Sequence, residues 1–166
     1  MKITKELLKE KGACAAGYRD FLKEYPVDKY PDGVEYQELL DCCAEKNFSY
    51  GSWLLGEFGK TDEVRKIDGD LIVAKGIIFA GRLEVKGCIK AGDGIEAGGG
   101  IKAGCGIKAG DGIKAGCGIE AGREYGIYAG LRCRITNRTL RKIIAKERPE
   151  NIMCGEFEEK KDDAVR

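Results

Sequence analysis

Eight cysteines, 28 acidic and 29 basic side chains carry whatever chemistry this chain of 166 residues can perform, and no histidine is among them. The commonest general base and the commonest metal ligand are therefore missing. Acid–base work would fall to Asp, Glu, Lys, Tyr or Cys. The cysteines are Cys14, Cys42, Cys43, Cys88, Cys105, Cys117, Cys133 and Cys154. None forms a C-x-x-C pair, and without His the zinc-finger spacings fail. No metal and no cofactor are expected. A nucleophilic thiol needs an activating neighbour, commonly a base, so Cys42-Cys43 reads as helix packing. Asp93 and Asp111, with Cys105 and Cys117, occupy corresponding turn positions of a repeat. A carboxylate pair for acid–base catalysis needs a cleft about 5–10 Å across, and regular turns supply none. The expectation is a protein that is not an enzyme.

The basic residues are the better candidates, as contacts to a partner. Lys90, Lys102, Lys108 and Lys114 recur along the repeat. Arg132, Arg134, Arg138, Arg141 and Lys142 make a basic stretch after it. The first set reads equally as a solvated ladder that keeps a sheet soluble, and the second as a charged cap strand. As a functional surface they would meet an acidic protein surface or phosphate, with Arg132 and Arg134 on one face of a strand. The net charge of +1 disfavours nucleic acid as a partner. The start MKITKELLKEK has no apolar core of a signal peptide, and no apolar run approaches the roughly 18 residues of a membrane span. A cytoplasmic protein with reduced thiols is expected.

Three segments must position these residues. Residues 1–60 are predicted helical. Thr4 caps a helix through Lys11, ended by Gly12. A second helix spans Ala13 to Tyr25, stopped by Pro26, and a Pro31-Asp32-Gly33 turn follows. A third helix spans Tyr36 to Lys46, and Ser49 caps a last one closed by Gly59. The aromatic residues here read as small-core packing.

Residues 61–130 hold the repeat, most regular from Leu71 to about Ile127. An apolar residue recurs every six positions at Leu71, Ile77, Leu83, Ile89, Ile95, Ile101, Ile107, Ile113, Ile119 and Tyr125. A second series runs two residues later, from Val73, Phe79 and Val85 through Ala91 to Ala121 and Ile127. Two inward series offset by two are strand alternation, and the intervening residue, often Lys or Glu, points out. Glycine turns such as Gly92-Asp93-Gly94 bend the chain between units. Coils of about 18 residues, three units each, stack Glu96 on Lys114 and Lys102 on Glu120, but Lys90 on Lys108; charge slightly favours this over two units per coil. Residues 131–166 break the repeat and read as a C-terminal cap, built as a hairpin or one last irregular coil.

The run IKAGDGIEAGGGIKAGCGIKAGDGIKAGCGIEAG resembles the hexapeptide-repeat β-helix proteins, and KIDGDLIVAKGIIFAGRLEVKGCIKAG is similar to the polymer-forming bactofilins. The resemblance implies a three-sided solenoid. The hexapeptide transferases favour a small residue at the fifth position of each unit. Asp93, Gly99, Cys105, Asp111 and Cys117 stand there instead, and the acyltransferases' catalytic His is absent, so their activity does not carry over. At the N-terminus, ITKELLKEKGAC followed by YPDGVEYQELLD is similar to the helical region of phage and prophage proteins. That likeness implies direct binding to a host factor, including CRISPR complexes.

The expected fold is α+β: a small N-terminal helical domain, then a parallel β-solenoid of six-residue repeats with a C-terminal cap. The expected function is non-enzymatic protein binding, with a host defence factor as partner and a homodimer left open. The alternatives are a self-assembling bactofilin-like solenoid and, disfavoured, a hexapeptide-repeat transferase.

Overall fold

A computed structural model describes residues 1–133 and 137–161. The helical unit comes first. Strand β1 (Lys2–Ile3) precedes helices α1 (Lys5–Glu10) and α2 (Ala15–Glu24); β2 (Val34–Glu35) then leads into α3 (Tyr36–Lys46) and α4 (Phe48–Phe58). β1 and β2 pair antiparallel, which fastens the chain start to the base of α3. Thr4 caps α1 as expected, its hydroxyl accepting from the Leu7 amide. α2 starts later than predicted, with Cys14 as its cap. The predicted Ser49 cap is wrong by two residues. α4 begins at Phe48 with Asn47 as N-cap, and Ser49 lies in the first turn, donating to Asn47 Oδ1 at 2.6 Å. Gly59 closes the helix at φ 74°, where only glycine sits without strain.

Short strands follow: β3 (Val64–Ile67), β4 (Leu71–Val73), β5 (Ile77–Phe79), β6 (Arg82–Val85), β7 (Ile89–Ala91), β8 (Ile95–Ala97), β9 (Ile101–Ala103), β10 (Ile107–Ala109), β11 (Ile113–Ala115), β12 (Ile119–Glu120), β13 (Ile127–Tyr128), β14 (Lys142–Ala145), β15 (Ile152–Cys154) and β16 (Glu156–Glu159). They make three parallel sheets. The first face is β3-β6-β9-β12, the second β4-β7-β10-β13-β15 and the third β5-β8-β11-β14-β16. The coil is a parallel β-solenoid of about five turns.

Its register is the predicted stacking of residues 18 apart, with Ile107 on Ile89, Ile113 on Ile95 and Ile119 on Ile101. The isoleucines from Ile89 to Ile119 are buried, and the alanines two positions on line the same lumen. β-branched side chains stacked on short strands lose little rotamer freedom they had not already lost. The thin Ile–Ala core is therefore well ordered. The first glycine of a corner is a steric necessity: a Cβ on Gly110 would stand 1.8 Å from the Gly92 carbonyl oxygen of the coil before.

The regular count fails at Tyr125. Its ring is 48% exposed, and Ile127 takes the first inward place, opposite Ile107, with Ala129 buried beyond it. The corner after Ala121 is longer than the others. Tyr125 N donates to Gly122 O across a turn, and the Asn151 amide bonds the carbonyls of Gly122 and Tyr125. Counting by six placed Tyr125 and Ile127 two positions early. After residue 137 the chain resumes stacking, with β14 on β11, β15 on β13 and β16 on β14. The C-terminal segment is thus one last irregular coil rather than a hairpin.

The helical unit lies against the third face. Gly51 of α4 rests on Ile78, where a Cβ would meet the Ile78 side chain at 2.3 Å. Ile78, an outward residue of β5, is consequently buried, and so is Glu96 on the next coil. The expectation that outward residues are solvated fails on this face because α4 covers it. Gln37 of α3 bonds the free edge of β5, and Gly76 N donates to Ala44 O.

Candidate functional site

The second face carries the row that stays open. Its outward residues are Ile72, Lys90, Lys108, Tyr128 and Met153, in coil order. Lys90 and Lys108 sit directly over one another on β7 and β10. Coils stack about 4.8 Å apart, so two like charges leave one strip of the sheet from adjacent coils. Among the described residues neither has a carboxylate within 4.0 Å. Lys108 Nζ instead lies 5.4 Å from the centroid of the Tyr128 ring, a cation–π contact. Ile72 at 64% and Met153 at 66% exposure bracket the row with apolar surface. A like-charge ladder is unfavourable on a free sheet and becomes favourable when an anionic surface covers it.

The other candidate cations are satisfied internally and lie elsewhere. Lys102 belongs to the first face and bridges to Glu120 at 3.0 Å. Lys114 belongs to the third face and bridges to Glu96 at 2.6 Å, while Ser52 of α4 donates to the other Glu96 oxygen at 2.5 Å. Arg132 reaches the second-to-third corner, holding Asp93 at 3.1 Å and the Gly92 carbonyl at 2.9 Å. In the last coil Arg141 bonds Glu156 at 2.5 Å, Arg138 lies 3.8 Å from the same carboxylate, and Lys142 pairs with Glu158. The Arg141 hydrogen bond holds the Glu156 carboxyl below its ordinary value. Arg134 lies outside the described residues. Of the residues singled out from sequence, the fold thus brings Lys90 and Lys108 together on the second face, gathers Arg138, Arg141 and Lys142 around Glu156 and Glu158, and leaves Lys102, Lys114 and Arg132 apart from both groups. Ile72, Tyr128 and Met153 were missed, although Ile72 stands where later units carry Lys or Glu.

The residues weighed for catalysis are dispersed. Asp93 and Asp111 stack on one corner, Asp111 N donating to Asp93 O. Arg132 closes over Asp93, and the Cys133 thiol donates to Asp111 Oδ1 at 3.4 Å. Burial, then the Asp111 carboxylate, push the Cys133 thiol up, away from nucleophilic character. Cys105 and Cys117 occupy two other corners, following Gly87 and Gly99 of the preceding coil; what corresponds within a unit does not meet in space. Burial pushes the Cys43 thiol up to about 12. Among the described residues no three His, Cys, Asp or Glu side chains gather to hold a metal, and no helix is long and apolar enough to cross a membrane.

Two cavities open among the described residues. One, about 610 Å³, opens between α3 and the first coil. Arg65 occupies its wall, its guanidinium 4.5 Å from the Phe79 ring centroid and 3.7 Å from Asp41. The other, about 470 Å³, lies inside the helical unit. No protein-family model matches the chain, and neither the curated proteins nor the solved structures contain a match.

Proposed function

We propose that the chain is a non-enzymatic protein-binding protein that docks an acidic partner on the second face of its solenoid. The observation that carries this reading is the stacked, carboxylate-free pair Lys90 and Lys108 between exposed Ile72, Tyr128 and Met153. Cationic and apolar groups on one rigid strip suit a partner surface in which carboxylates surround an apolar patch. Every other outward lysine singled out has a carboxylate of its own coil stack. The partner class we put forward is a host defence factor such as a CRISPR complex, with the chain acting as a phage-type inhibitor. That identity rests on the likeness of ITKELLKEKGAC and YPDGVEYQELLD to phage and prophage proteins.

The second reading is a bactofilin-like filament built by coil-on-coil stacking. It is favoured by the ends of the sheets: among the described residues no further strand follows β12, β15 or β16, and such edges offer backbone donors and acceptors to another copy. Against it stands the seal that Gln37 places on β5 at the opposite end. Transfer chemistry of the hexapeptide type has no histidine to support it.

The test is affinity capture from a bacterial lysate, with the captured protein identified and the interaction remeasured with purified components. Lys90→Glu/Lys108→Glu should lose the partner, whereas Lys86→Ala, at a corner of the coil, should keep it. Equal capture by both variants, or no specific capture by the native chain, overturns the reading. Native mass spectrometry separates the filament, which grows without limit, from a chain of small defined mass.

A further inference from the structure

The cavity in the helical unit has no part in the docking strip, and its walls are unusual for so small a core. Phe21 and Tyr25 of the α2 region, Leu39 and Cys43 of α3, and Tyr50 and Trp53 of α4 all line it. At about 470 Å³ the space falls within the roughly 300–1,000 Å³ typical of small-ligand pockets. Tyr25 and Phe21 meet with ring centroids 5.6 Å apart, tilted by 39°, so one wall is already an aromatic surface.

The rim gives no net charge. Glu24 and Lys46 bridge at 2.5 Å, and Asp20 and Lys23 add one charge of each sign. Inside, burial raises the thiol of Cys43 and the phenol of Tyr25, the latter also facing Cys42. Both groups are kept neutral, as a lining of low polarity requires. A charged guest would give up hydration inside while the rim offers it like charge as well as opposite charge, for no net gain. A flat, uncharged one would gain ring contacts. Tyr50 and Asn47 are among the lining residues and bring a hydroxyl and an amide to them, the amide oxygen already accepting from Ser49.

We propose that this cavity is a binding site for an uncharged planar aromatic compound of one or two fused rings bearing a hydrogen-bonding group. The aromatic walls select flatness, the balanced rim selects neutrality, and the Tyr50 and Asn47 groups orient the polar edge.

The probe is 2-naphthol, titrated into the full chain and followed by backbone amide shifts. Saturable shifts should be confined to the neighbourhood of Ala13, Gly17, Asn47 and Trp53. Binding should be at least about ten-fold tighter than for 2-naphthoate, which carries a charge, and for the saturated, non-planar decahydro-2-naphthol. Gly17→Leu should abolish binding. A Cβ there sits in ordinary contact, 3.4 Å from Cys14 Sγ and 3.6 Å from the Tyr50 ring, and the longer side chain then fills the space. Absence of saturable shifts in the native chain, shifts spread over the solenoid, or equal affinity for all three probes overturns the proposal. The native titration decides this even if the filled variant does not fold.

Discussion

The side-chain amide of Gln37 pairs with the backbone of Ile78 and Ala80 as a strand would. Gln37 Oε1 accepts from Ala80 N at 3.0 Å and Nε2 donates to Ile78 O at 2.9 Å. β5 begins the third face, so this edge has no preceding coil to pair with. One glutamine on a helix thereby replaces a rung of sheet. Gln37→Ala leaves a part-buried donor and acceptor unpaired, at a cost of about 1–3 kcal/mol. Urea unfolding should show that loss, with faster hydrogen exchange at the Ala80 amide. Gln37→Glu can accept but not donate, and should fall between the two. A Gln37→Ala variant as stable as the native chain would mean that water serves this edge equally well.

Ile101 sits in the middle of the lumen at 1% exposure, stacked between Leu83 and Ile119. Ile101→Val should cost about 1 kcal/mol and Ile101→Ala about 2–5 kcal/mol, since neighbours on fixed coils relax little into the gap. Ile101→Asp places an unpaired charge in a dry stack and should abolish the cooperative transition. An unchanged melting temperature for the Asp variant would contradict the inward stack.

Much of this architecture was legible because stacking repeats its demands. Each coil must set an aliphatic residue over the one below, so Ile89 to Ile119 announce themselves by period alone, and charge pairing at a spacing of 18 already suggested the register. What stayed hidden has physical causes. A lengthened corner before Ile127 shifts the count without disturbing composition, so Tyr125 passed for a core residue. Gln37 lies in the first turn of α3, and nothing local says that a sheet edge will arrive there. The neutralisation of Arg138, Arg141 and Lys142 depends on Glu156 and Glu158, which come next to them only when the last coil closes. The two open lysines differ from Lys102 and Lys114 in face, not in sequence context.

Lys114 and Lys102 look interchangeable in the repeat, yet their partners differ in burial. Glu96, beneath α4, is 4% exposed, whereas the Glu120 side chain is 63% exposed. Lys114→Ala strands a buried carboxylate with only Ser52 to serve it, and should cost about 3–5 kcal/mol. Lys102→Ala loses a solvent-screened pair, worth at most about 1 kcal/mol. Lys114→Ala/Glu96→Gln should recover most of the stability, because no charge remains buried. Equal losses for the two lysine variants in urea melts would contradict the burial of Glu96.

Alkaline pH should destabilise the helical unit, and the sign follows from its buried acids. Burial, and secondarily the neighbouring Cys42, push the Cys43 thiol up to about 12. Burial likewise raises the phenol of Tyr36, whose hydroxyl donates to the carbonyls of Leu54 and Gly59. In the unfolded chain these groups ionise at ordinary values while the folded chain still holds their protons. Folding is then opposed in proportion to the proton difference. Each contribution is complete below the unfolded value and disappears as pH rises through the folded one. Urea midpoints should stay level to about pH 8 and fall progressively above it, as unfolded thiols and then phenols ionise. Cys43→Ala should flatten the first part of that slope, between the ordinary thiol range and that of tyrosine, and leave the later part. If the slope of Cys43→Ala matches that of the native chain throughout, the Cys43 thiol is not held neutral by burial.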